Sequence, residues 1–89
     1  MAKTILLLEP DDTFWRIGIL NLERQGYRVL RASSALVMNQ ILENQTVDVV
    51  MKRAPLSNEE ESYAHRHKVK IQIIQPWLDF VKEYRERKQ

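Results

Sequence analysis

Residues 5–8 read Ile-Leu-Leu-Leu, a run with no polar face, and it stops abruptly at Glu9-Pro10-Asp11-Asp12. An extended segment that is apolar on both sides needs helices above and below it, which is the setting of a central strand in a parallel sheet. The residues that follow fit that requirement. Asp12 is placed to cap a helix, and Phe14, Ile17, Gly18, Asn21 and Leu22 fall on one helical face that ends at Gly26, a residue suited to the left-handed position after a helix. Tyr27–Arg31 alternates as a second strand. Ser33 or Ser34 opens a second helix, which buries some of Leu36, Val37, Ile41 and Leu42 before Asn44. Val47–Met51 is apolar and β-branched, a third strand. Strands and helices alternating over short connections predict right-handed βαβ units around a parallel sheet.

Beyond Pro55, Ser57-Asn58-Glu59-Glu60 has the S-x-x-E form of a capping box and predicts a short helix over 58–66. Val69, Ile71 and Ile73 alternate with Lys70 and Gln72 as in a half-buried strand, which Pro76 ends. Trp77, Phe80, Val81 and Tyr84 stand at i, i+3, i+4 and i+7, predicting a last amphipathic helix. The chain has 89 residues, 44% hydrophobic and 29% charged, enough for one small soluble domain and too few for a deep catalytic cleft. Without cysteine there is no disulfide framework, thiolate zinc site or thiol nucleophile. The run at residues 5–8 is too short for a signal-peptide core or a membrane span, so we expect an unprocessed cytoplasmic protein with no membrane partner.

Taken in order, these pieces resemble the receiver domain of response regulators. Residues 5–12 resemble its first strand and acidic loop; Leu22-Glu23-Arg24-Gln25-Gly26-Tyr27-Arg28-Val29 resembles the end of its first helix and its second strand. Ala32-Ser33-Ser34-Ala35 is similar to the opening of its second helix, Val47–Met51 to its third strand, and Gln75-Pro76 to the Lys-Pro pair after its last strand. The resemblance is closest over residues 4–53 and extends to 69–88. It implies a flavodoxin-like α/β fold: a small doubly wound parallel sheet with helices on both faces. Residues 1–89 then form a single truncated receiver-like domain, shorter than the mode of about 100–150 residues for domains. The shortening removes about one strand and one helix between the third and last strands, leaving four strands in the order 2-1-3-4.

The resemblance also implies a phosphorylation pocket, in which clustered carboxylates hold Mg²⁺ and an aspartate at the end of strand three accepts a phosphoryl group. Here that pocket is degenerate. Glu9 takes the first acidic place, but Pro10 takes the second, with Asp11 and Asp12 following. The phosphoacceptor place falls on Arg53, or on Lys52 with one residue deleted, and Gln75 stands where the lysine belongs. A cation at Lys52 or Arg53 beside Glu9 and Asp11 would replace a metal by an internal ion pair. No catalytic residue, metal or cofactor is therefore expected.

Truncation exposes apolar surface that needs covering, so the expected role is that of a phosphorylation-independent protein-binding or regulatory adaptor, a homodimer included. Trp15, Ile19 and Leu20 lie outside the apolar stripe of the first helix and, with Trp77 and Tyr84, are the interface candidates; Trp15 can instead pack near Trp77 or Tyr84. A different class, a small nucleic-acid-binding regulator, is suggested by residues 65–89, where seven Lys/Arg face three Asp/Glu. A third is a residual phospho-switch with Mg²⁺ on Glu9, Asp11 and Asp12. His65 and His67 diverge on a helix and read as exposed residues near its end, and Glu59-Glu60-Glu61 reads as a solvated helix start.

Overall fold

The computed structural model describes residues 2–74. The expected last helix through Trp77, Phe80, Val81 and Tyr84, the Gln75-Pro76 pair and the basic segment after it lie outside the described residues. Among the described residues seven elements alternate: β1 (Thr4–Leu8), α1 (Asp12–Arg24), β2 (Arg28–Ala32), α2 (Ala35–Asn44), β3 (Val49–Lys52), α3 (Asn58–Arg66) and β4 (Lys70–Ile73).

The four strands form one parallel sheet in the order β2-β1-β3-β4, as the sequence predicts. β1 pairs with β2 and β3 and is buried at every position, which is why its sequence has no polar face. The chain moves one way from β1 to β2 and then back across β1 to β3. Right-handed crossovers in opposite directions put α1 on one face of the sheet and α2 with α3 on the other. On the α2/α3 face Leu6, Leu8, Ala32, Met38 and Val50 form the core, packed by Val37, Ile41, Leu42, Leu56, Tyr63 and Val69. Ile5 and Leu7 alternate to the other face, where Gly18, Asn21 and Leu22 are the buried residues of α1.

Local signals mark most element ends, with small displacements. The N-cap of α1 is Asp11, not Asp12: its carboxylate accepts from the Thr13 and Phe14 N–H groups at 2.9 and 3.2 Å. Asp12 is the first helical residue and its carboxylate turns to Arg31 instead. Gly26 takes the expected left-handed backbone at φ 92°. Ser34 caps α2, and Ser57 and Glu60 close a reciprocal capping box at α3, whose span matches the predicted one. β2 and β3 each run one residue beyond their predicted ends, to Ala32 and Lys52. In α2, Leu36 is 57% exposed and Met38 is the fully buried residue, because the helix presents to the sheet the face one turn short of Leu42.

Candidate functional site at the carboxyl edge of the sheet

In a doubly wound sheet, the loops leaving the carboxyl ends of the strands converge at one edge. Here these are residues 9–11 after β1, 33–34 after β2 and 53–57 after β3. Glu9 continues the β1 ladder by one bond, its N–H donating to Ala32 O at 2.9 Å, and this fixes its side chain over the edge. That side chain is only 2% exposed. Arg53, the first residue after β3, closes on it: Nε donates to Oε1 at 2.6 Å and Nη2 to Oε2 at 3.3 Å. Oε2 also accepts the Asp11 N–H at 2.9 Å, so both oxygens are engaged. The Arg53 guanidinium also lies over the Phe14 ring, 4.2 Å from its centre.

Arg31, from β2, is arranged in a similar way around the same turn. It reaches Asp12 Oδ1 at 2.6 Å, donates to the Glu9 and Pro10 carbonyls at 3.4 Å each, and lies 5.0 Å from the Trp15 ring centre. The first turn of α1 is thus held by two arginines, each stacked on one of its aromatic side chains and ion-paired to one carboxylate.

Lys52 goes elsewhere. Because side chains alternate along β3, Lys52 shares the α2/α3 face with the core residue Val50, and its Nζ lies 2.6 Å from Glu60 Oε1. The same oxygen accepts the Ser57 N–H at 2.8 Å. Burial alone raises the Glu60 carboxyl pKa, but hydrogen bonds from Lys52 and from the Ser57 backbone, with the Lys52 charge, outweigh it and hold it below its ordinary value. Glu60 is therefore buried and paired, which corrects its reading as part of a solvated helix start.

The structure brings Glu9, Pro10, Lys52 and Arg53 to the wall of one shallow hollow of about 320 Å³, together with Leu8 and Ala54. Glu9, Asp11 and Asp12 do not converge on a common point: one faces Arg53, one caps α1 and one faces Arg31. No group of three or more His, Asp or Glu residues among the described residues is positioned to hold a metal ion. Mg²⁺ requires near-octahedral oxygen ligation, and a carboxylate already holding a guanidinium and an N–H does not fit that role. Gln75 lies outside the described residues.

Of the interface candidates, Trp15 and Ile19 are half-buried and Leu20 is exposed, while Trp77 and Tyr84 are outside the described residues. The Trp15 Nε1–H is buried with no hydrogen-bond partner among the described residues. His65 is exposed, but His67 is half-buried, its Nε2 lying 3.0 Å from Asn39 Oδ1 and linking α3 to α2. Sequence reasoning missed Arg31, Phe14 and Glu60 as site residues. Only Glu60 carried a local signal, its place in the capping box.

No family model and no curated protein matches the sequence. Solved structures do match in three dimensions. A CheY-like response regulator receiver domain protein from Methanospirillum hungatei superposes with a TM-score of 0.58 at 17% identity, covering 99% of this chain and 98% of that one. The Vibrio cholerae chemotaxis protein CheY4 superposes with a TM-score of 0.62 at 11% identity, covering 98% of each chain. With its sheet order, its helices on both faces and these likenesses over almost the whole length, the chain has the receiver-like, CheY-type flavodoxin fold.

Proposed function

We propose that this chain is a phosphorylation-independent protein-binding module, a regulatory adaptor on a receiver-like scaffold. The observation that carries the reading is the Glu9–Arg53 pair. A carboxylate at the carboxyl edge of the sheet, 2% exposed, is neutralised from within by a guanidinium that is itself braced on Phe14. Such a pair occupies the space in which a switch would gain and lose charge, and releasing it leaves a buried charge uncompensated, at a cost of about 3–5 kcal/mol. The pocket therefore acts as a fixed part of the scaffold, and recognition falls to the surfaces around it. On α1 these are Trp15, Ile19 and Leu20, with Leu20 44% exposed. No helix among the described residues is long and apolar enough to cross a membrane, in keeping with a partner met in solution.

The test is to treat the isotope-labelled protein with Mg²⁺ and a small phosphoryl donor, following intact mass and amide resonances. We expect no phosphoryl adduct and no selective shifts at residues 9–12 and 52–53. A stable adduct or a saturable Mg²⁺ footprint there would overturn the reading. In parallel, Ile19→Glu is expected to weaken partner binding or self-association, read by light scattering, with the folded spectrum retained.

A further inference from the structure

β4 is an end strand of the sheet, and among the described residues nothing pairs with its outer edge. The Ile74 N–H donates to Lys52 O at 2.7 Å, and Lys52 is in register with Ile73. In a parallel ladder this parity turns the N–H and C=O of Lys70, Gln72 and Ile74 toward β3, and those of Ile71 and Ile73 outward. The free edge therefore offers two donors and two acceptors, on residues with isoleucine side chains.

The two faces beside this edge differ in chemistry. On the α3 side, two adjoining hollows of about 290 and 240 Å³ share Glu61 and Ile71, and Leu56, Val69 and Ile73 line them with apolar surface. Ile71 is 39% exposed there, unusual for an isoleucine in a strand of a parallel sheet. On the opposite side the alternation brings up Lys70 and Gln72, on a hollow with Lys3 and Asp48 and the apolar Ile5, Tyr27, Val49 and Met51. Arg66, Lys68 and Lys70 have no carboxylate partner among the described residues. Among the described residues the edge is thus open along its backbone, with Ile71 and Ile73 presented on the α3 face and Lys70 and Gln72 on the other.

The geometry points to strand addition: β4 receives an extended segment of another protein in which apolar residues alternate with Asp or Glu. Its backbone pairs with Ile71 and Ile73, its apolar side chains enter the hollows beside α3, and its carboxylates, on the opposite face, meet Lys70. Main-chain bonds supply affinity, and the alternation supplies specificity. A second copy of this chain is the poorer occupant, because its own β4, Lys-Ile-Gln-Ile, has no carboxylate to set against Lys70. This inference rests on the reading of the chain as a protein-binding module and names the surface and the class of partner.

The experiment titrates the isotope-labelled full chain at low salt with a peptide of about seven residues alternating valine with aspartate or glutamate, long enough to span a strand. Expected are amide shifts centred on 70–74 and slowed exchange at Ile71 and Ile73. Lys70→Glu is expected to weaken binding about tenfold or more, as loss of a charge-assisted contact does. Ile71→Pro is expected to abolish binding while keeping the β3–β4 ladder, because it removes only an outward N–H. A peptide N-methylated on alternate residues is expected to fail too, and needs no change to the protein. Absence of binding, a footprint away from β4, or binding insensitive to Ile71→Pro and N-methylation overturns the proposal. So do β4 shifts that depend on protein concentration alone, which assign the edge to a second copy, or an equal response to a single-stranded oligonucleotide. Repeating the titration with Mg²⁺ and a phosphoryl donor separates the two readings: binding that appears only then refutes the phosphorylation-independent module and leaves the edge site standing, whereas a donor-inert chain that ignores the peptide refutes the edge site alone.

Discussion

Among the charged side chains of the site, burial decides what each ion pair does. Asp12, 74% exposed, gains little from Arg31 in high dielectric, whereas Glu9 depends on Arg53 for its burial to be tolerable at all. Glu60 lies between these limits and joins two elements: with one oxygen it holds Lys52 at the end of β3 and the Ser57 N–H at the start of α3. Its folded-state pKa is held below the ordinary glutamate value of 4.5, after burial, which raises it, is outweighed by Lys52 and Ser57. A carboxylate depressed on folding stabilises the native state above its unfolded value, and that contribution is lost as pH falls through the folded value. Glu60→Gln keeps a side chain able to complete the capping box but removes the charge. Urea unfolding at neutral pH should show the variant less stable by about 1.5–3 kcal/mol, the range for hydrogen bonds to charged groups. The gap should close on acidification below the ordinary carboxylate range; a gap constant with pH would assign the loss to packing.

At the level of helices and strands, the legible features were those encoded within a few residues. The burial of β1 follows from four consecutive apolar residues, α3 from Ser57-x-x-Glu60, and the turn before β2 from Gly26. Helix caps were legible to within one residue, since Asp11 and Asp12 are both able to accept from a first turn; position decides in favour of Asp11, whose carboxylate alone reaches Thr13 N and Phe14 N. Asp11→Ala should therefore destabilise the protein by about 0.5–2 kcal/mol and Asp12→Ala by only a few tenths, compared by denaturant midpoint. Equal losses would mean that the exposed Arg31 bridge matters as much as the cap. What local reading left open was pairing between elements. Lys52 and Arg53 were equivalent partners for Glu9 in the sequence; Lys52, on the same face of β3 as Val50, goes to Glu60 and leaves Arg53 for Glu9. Arg31 lies 16 residues from Trp15, and only the β1–β2 pairing carries it to the first turn of α1. The site was therefore legible as a set of charged residues, and its wiring was legible only once the strands were in register.

Across the whole sheet, stability should fall from the centre outward. β1 is covered by a strand on each side and a helix layer on each face, so its amides open only when the domain unfolds; among the described residues β4 has one neighbour and an exposed face. Within β4 the parallel ladder makes a finer distinction. Gln72 and Ile74 turn their N–H groups to β3, and Ile71 and Ile73 turn theirs away from it. Hydrogen exchange of the dilute, peptide-free protein should show β1 slowest, Gln72 and Ile74 intermediate, and Ile71 and Ile73 fast, with protection alternating residue by residue along one short strand. That alternation is the signature of an edge open on one side. Uniform slow exchange through residues 70–74 would mean that the outer edge of β4 is already occupied within the free chain, and strand addition would then have to displace its occupant before any partner could bind.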